Sequence, residues 1–165
     1  MPKPKLSAKE ILLPALSLFL ICFVMAGALA VVNEITKNKH SEENTIYQEI
    51  FPEARFVDRG EYYTAYDQND TFLGYCIDAE AQGYGGAIQV AVGLDAQGGI
   101  LTVRVVSCEG ETPGLGTRIQ DGSFLSQFIG GAGDVDAITG ATYSSLGVMD
   151  AVKQALMIYE EVIAP

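Results

Sequence analysis

The chain has no tryptophan, a single histidine and three cysteines in 165 residues. Each shortage removes a class of chemistry. With His40 alone, no histidine-based metal centre can be assembled. Cys22, Cys76 and Cys108 stand far apart without a C-x-x-C pair, which excludes an iron–sulfur cluster or a zinc knuckle, so no metal is expected. No G-x-G-x-x-G follows a strand and opens a helix, and the chain therefore carries no dinucleotide fingerprint of its own. Basic residues are scarce too: from Ser41 onward there are 19 acidic and 5 basic side chains, a formal charge of −14. Nucleic acid is excluded as a partner, because phosphates reward the opposite sign. Internal repeats and low-complexity tracts are also missing.

Charge is absent altogether between Ile11 and Val32. This run meets the ~20 apolar residues that a membrane-spanning helix requires, and Pro14 falls near its start, where a missing N–H has no intrahelical partner. Lys3, Lys5 and Lys9 precede the run, and Glu34, Lys37 and Lys39 follow it. The lysine excess at the N-terminus predicts a cytoplasmic residue 1–10 segment, a single span over 11–32, a juxtamembrane segment with a short helix over 33–51 and an extracytoplasmic domain over 52–165. The expected location is the cell (inner) membrane. Cleavage after Ala28-Leu29-Ala30 is the competing reading, but the apolar core is longer than that of a signal peptide. A lipoprotein processed at Cys22 is disfavoured by Ile21.

Beyond the span, Ser41 to Phe51 reads as a short helix ended by Pro52, with Ile46, Ile50 and Phe51 on its apolar side. Strands are predicted over Arg55–Val57, Tyr62–Tyr66, Phe72–Ile77, Ala87–Leu94 and Ile100–Val106. Asp95 to Gly99 supplies turn chemistry that joins the last two as a hairpin. Ile88, Val90 and Val92 on one strand and Leu101, Val103 and Val105 on the next should form a single core face. A short helix over Ser123–Phe128, capped by Asp121 or Ser123, precedes a flexible glycine-rich stretch from Ile129 to Asp134. Ser144 to Ile163 carries Leu146, Met149, Val152, Leu156, Tyr159 and Ile163 at helical spacing, an amphipathic helix of about five turns. The fold class is α+β, one domain with an antiparallel sheet packed by helices. Cys76 and Cys108 are read either as a disulfide or as two buried thiols on neighbouring strands.

Three glycine-bearing loops interrupt this pattern: QGYGG (82–86), ETPGLG (111–116) and DAITGATYSS (136–145). Each abuts the end of a strand or helix, where backbone N–H groups are free to meet a ligand. Together with Tyr84 and Tyr143 they would make a cleft suited to a flat cofactor bearing a phosphate. At the start of the last helix, unpaired N–H donors and the positive end of the dipole favour an anion beside Thr142 or Ser144. The same hydroxyls could also serve simply as an N-cap.

Asp136-Ala137-Ile138-Thr139-Gly140-Ala141-Thr142 resembles the flavinylation pattern D-x-x-[ST]-G-A-[ST]. That pattern belongs to the FMN-binding domain shared by the G subunit of the Rnf complex and the C subunit of the sodium-pumping NADH:quinone oxidoreductase. Glu111 to Gly116 resembles the family's second signature. The order of glycine loop, hairpin and signature after one N-terminal span is also similar, and the short chain favours the Rnf type.

The resemblance implies covalent FMN, joined through a phosphoester to Thr142 by a separate flavin transferase that recognises Asp136; a turn-forming role is the alternative for that aspartate. It also implies that Thr139, Gly140, Ala141 and Ser144 flank the attachment point, with Tyr84 in the cleft. Glu111, Thr112, Leu115 and Gly116 would form a wall of the pocket through backbone contacts. The protein is then expected to be a membrane-anchored electron carrier, a subunit of an ion-translocating oxidoreductase that couples ferredoxin:NAD electron transfer to ion movement. It would work with other integral membrane and redox subunits and have no turnover alone. A stand-alone anchored flavoprotein, a quinone-reductase C-type subunit and a non-redox module with Thr142 as a cap are the alternatives. Relatives often carry a basic residue shortly before the flavinylation motif, whereas IGGAGDVDAI has none; Arg118 is either its replacement or a solvated surface residue. The acidity of the domain is expected to lower the flavin potential.

Overall fold

The computed structural model describes residues 16–30, 45–131 and 135–164. The flanking lysines, Glu34, His40, residues 41–44 and residues 132–134 of the glycine-rich stretch lie outside them. The chain divides into two units, Met1–Glu42 and Glu43–Pro165. In the first, residues 16–30 form an apolar helix exposed along its whole length. Among the described residues no helix is long and apolar enough to cross a membrane. At 1.5 Å per residue this described helix would reach about 22 Å, short of the ~30 Å hydrocarbon core.

In the second unit, five strands form one antiparallel sheet in the order β1-β2-β3-β4-β5: β1 Arg55–Asp58, β2 Tyr63–Tyr66, β3 Phe72–Gln82, β4 Ala87–Leu94 and β5 Ile100–Ser107. All five follow the predicted order. The largest difference is β3, which continues through Asp78-Ala79-Glu80-Ala81-Gln82. These residues have poor strand propensity, but each pairs with β4, from Asp78 opposite Ala91 to Gln82 opposite Ala87.

The predicted core face of the hairpin also needs one correction. Ile88, Val90, Val92 and Val103 are buried and Val105 is half-buried, whereas Leu101 is 42% exposed. Leu94 lies opposite Ile100 and Gly93 opposite Thr102. Leu101 is thus the extra residue of a β-bulge, and the bulge lets Ile100 and Val103, three apart, face the same core.

Both faces of the sheet are covered. On one, Ile77, Ile88, Val90, Val92, Leu94, Ile100 and Val103 pack with the long helix Thr142–Ile158 and with Ile119, Phe124 and Phe128. On the other, the short helix of residues 45–50 and the residue after it lay Tyr47, Ile50 and Phe51 over Ala65, Cys76 and Ala91. The small residues of the second face let that helix approach closely. A Cβ added at Gly93 would lie 2.3 Å from Ile50 Cγ2, and Tyr47 donates its hydroxyl to Asp78.

The long helix starts two residues earlier than predicted, and its last turn, Tyr159–Ile163, widens to π geometry. Its buried face is rotated from the predicted stripe. Gly147, Val148, Ala151, Val152 and Ala155 meet the sheet, while Leu146 is exposed and Met149, Leu156, Tyr159 and Ile163 are half-buried at the flanks. A Cβ at Gly147 would come within 3.0 Å of the Gln82 carbonyl oxygen, so small residues let the helix axis approach the sheet.

Between β5 and the long helix lie three short helical pieces, Gly116–Gln120, Gly122–Leu125 and Ser126–Phe128. Asp121 occupies the N-cap position of the second without a capping hydrogen bond; its carboxylate lies 3.6 Å from Arg118 Nε instead. Cys76 and Cys108 are free and buried. Cys76 lies in β3 and Cys108 directly after β5, with β4 between them, and they belong to opposite faces of the sheet; no disulfide forms, and the two are buried free thiols that do not sit on neighbouring strands. Burial and nearby Asp78 push the Cys76 thiol up to about 12. Burial also raises Cys108, opposed by a hydrogen bond from Gln120.

Candidate functional site

The antiparallel meander brings the three glycine loops to one end of the sheet. QGYGG is the turn from β3 to β4, and Gln89 near the start of β4 lies opposite Ser107 at the end of β5. The chain leaving β5 must therefore pass beside that turn. The passage is tight: a Cβ at Gly85 would sit 1.7 Å from the Gly110 carbonyl oxygen. Only residues without side chains allow the two backbones to meet.

Glu111 closes this junction. It is 4% exposed; its Oε1 accepts the Gly85 N–H at 3.1 Å and its Oε2 accepts the Ser144 hydroxyl. One carboxylate thus joins all three loops. The expected role was a pocket wall made by backbone contacts, whereas the structure makes Glu111 a buried side-chain brace behind that wall.

The DAITGAT turn is fastened by a residue the motif reading did not single out. Ser145, fully buried, donates to the Ala141 carbonyl at 2.9 Å and accepts the Ile138 N–H at 3.0 Å. Ala141 N–H donates to Ile138 O, and Gly140 takes a φ of +84°, the left-handed conformation that glycine adopts without strain. The one sequence signal for Ser145 was its place in the fourth position after Ala141, where a helical hydroxyl can reach back to a carbonyl.

Thr142 is the first residue of the long helix and is exposed. Ala141 holds the N-cap position, with φ −123° and ψ 36°, and no side-chain hydrogen bond caps the helix. The capping role for Thr142 or Ser144 is therefore not realised: Thr142 comes one residue too late, and Ser144 spends its hydroxyl on Glu111. The first-turn N–H donors are left without a side-chain cap, where an anion would be stabilised.

A cavity of about 280 Å³ opens at this point, lined by Tyr84, Thr112, Leu115, Gly116, Gly140, Ala141, Thr142, Tyr143 and Ser144. All nine are residues that the sequence places at the expected cleft or its walls. Tyr143 joins Tyr84 at the mouth, 69% and 71% exposed, with ring centroids 6.4 Å apart. Thr139 and Asp136 do not line the cavity; both are exposed on the approaching turn. The Asp136 N–H donates to Gln127 Oε1 at 2.9 Å, and its carboxylate forms no turn hydrogen bond among the described residues. Arg118 is also outside the cavity, exposed and paired with Asp121. No lining residue is basic, so an anion here depends on the helix start for its counter-charge.

Residues 83–157, which include the three loops apart from Gln82, match the FMN-binding domain family. The G subunit of the ion-translocating oxidoreductase complex of Escherichia coli K12 is 31% identical, the match covering 78% of this chain and 81% of that protein. Its counterpart in the proton-translocating ferredoxin:NAD(+) oxidoreductase complex of Clostridium ljungdahlii is 35% identical over 109 residues, 58% of each. The chain thus spans little more than half the length of this second relative. A similar fold occurs in the crystal structure of the C subunit of Na(+)-translocating NADH-quinone reductase from Parabacteroides distasonis, with a TM-score of 0.55, 22% identity and coverage of 76% of this chain and 84% of that one. The chain belongs to the family of FMN-binding G subunits of ion-translocating oxidoreductase complexes.

Proposed function

We propose that the protein is a membrane-anchored electron-carrier subunit of an Rnf-type complex, carrying FMN on Thr142. The observation that carries this reading is the uncapped helix start with an exposed threonine as its first residue, opening into a glycine-walled cavity. The residues present fit the group. First-turn N–H groups suit a phosphate, and Tyr84, Leu115 and Tyr143 offer apolar surface to a ring system. The walls are already narrow at Gly116, where a Cβ would lie 2.7 Å from Glu111 Oε2. The cavity is close to the lower end of the ~300–1,000 Å³ range of small-molecule sites.

Attachment would proceed with FAD as the donor. The Thr142 Oγ–phosphorus bond forms as the pyrophosphate bond breaks, AMP leaves and the hydroxyl proton passes to a base of the flavin transferase. The exposure of Thr142, Thr139 and Asp136 supports access by such an enzyme. When bound, the flavin supplies electron acceptance and donation, while the protein orients it. The relatives' names support partners among the subunits of a ferredoxin:NAD oxidoreductase complex. The uncharged run 11–32, helical and exposed over residues 16–30, supports a single span, and Lys3, Lys5 and Lys9 before it support a flavin domain outside the cytoplasm.

Intact mass of the detergent-purified full chain, made together with an exported flavin transferase, tests the reading. A gain of one FMN less one water is expected for the wild type and none for Thr142→Ala. An unchanged wild-type mass beside an active transferase would reject covalent attachment.

A further inference from the structure

We infer that Glu111 is a positioning residue whose buried, ionised carboxylate holds the three loops around the cavity and keeps the potential of the bound flavin low. This rests on the FMN reading above. Ion pairs of the arginines and of Lys153 among the described residues go to Asp70, Glu49, Asp121 and Asp150, none of them to Glu111. Its charge is met instead by dipoles.

Oε1 accepts a backbone N–H and Oε2 accepts a hydroxyl, so both oxygens act as acceptors, the pattern a carboxylate makes. Ser144 lies in the first turn of the long helix, at the positive end of its dipole.

Ser144 lines the cavity and touches Glu111, so one side chain separates this anion from a ligand there. A charge buried to this degree is screened far less than the exposed acids of the domain, whose fields fade over ~8 Å at physiological salt. Electrons added to a flavin in the cavity therefore meet a fixed negative neighbour, and reduction becomes less favourable. Net acidity was the sequence's reason to expect a low potential; the structure concentrates that effect in one residue.

Redox titration of the flavin-loaded full chain tests this, with loading first established by intact mass. Glu111→Gln preserves shape and an acceptor for the Gly85 N–H and removes the charge, with the Ser144 hydroxyl turning from donor to acceptor. Its midpoint is expected to shift upward, while Glu111→Asp stays at the wild-type value. A loaded Glu111→Gln protein with an unmoved midpoint overturns the inference and leaves the FMN reading standing. A rise in Glu111→Asp overturns it as well, because packing rather than charge would then set the potential. Should Glu111→Gln load no flavin, the carboxylate infrared band of wild-type Glu111 at neutral pH decides: an ionised band with an unshifted Glu111→Asp midpoint supports the inference, and a protonated band overturns it. A wild type without flavin would overturn both readings.

Discussion

At the residue scale, serine at 144 and serine at 145 look interchangeable in the sequence, yet their hydroxyls do different things. Ser144 turns toward Glu111 at the cavity wall; Ser145 turns back into the DAITGAT turn and makes two hydrogen bonds there. Replacing Ser145 with alanine leaves the Ile138 N–H without its partner, and is expected to cost about 1–2 kcal/mol in urea unfolding. A loss below ~0.5 kcal/mol would show that the turn holds without it. Thr142 stood out in the sequence because its pattern is local: seven consecutive residues bear the resemblance, and the structure puts the residue at the helix start beside the cavity. Glu111 was legible as part of a motif but not in its role, since its partners Gly85 and Ser144 are 26 and 33 positions away. Arg118 illustrates the reverse case, a candidate charge for the flavin that stands outside the cavity, paired with a carboxylate three residues on.

At the scale of elements, periodicity located all five strands and the long helix, since alternation and 3.6-residue spacing are local consequences of burying one face. It failed where contacts at a distance decide. The second half of β3 is strand because β4 pairs with it. The helix buries its glycine and alanine stripe because the sheet offers the closest approach there. The bulge at Leu101 gives a direct check, as adjacent aliphatic residues should behave oppositely. Ile100→Ala is expected to cost about 2–5 kcal/mol, in keeping with its near-complete burial, whereas Leu101→Ala should fall within about 0.5 kcal/mol. Equal losses in chemical denaturation would mean that β5 pairs in the regular register.

For the whole molecule, the buried thiols tie stability to alkaline pH. The folded Cys76 thiol is held at about 12 against an ordinary value of 9.0, so the folded state keeps a proton that the unfolded chain releases between those values. The stabilisation is complete below pH 9 and declines as pH rises toward 12, by up to about 1.4 kcal/mol per unit. Cys76→Ala should flatten this part of the stability curve, and identical wild-type and variant slopes would contradict the assignment.

By itself the sequence determined the uncharged N-terminal run, the acidity of the rest, the order of strands and helix, and the motif, ending at Thr142, that resembles a flavinylation pattern, all properties of neighbouring residues or of sums over the chain. Only tertiary structure decided that the two cysteines face opposite sides of the sheet, that Thr142 starts the helix without capping it, and that Glu111 braces three loops from within. Those outcomes depend on which distant segments the sheet brings together, and local chemistry along a chain carries no record of such distances.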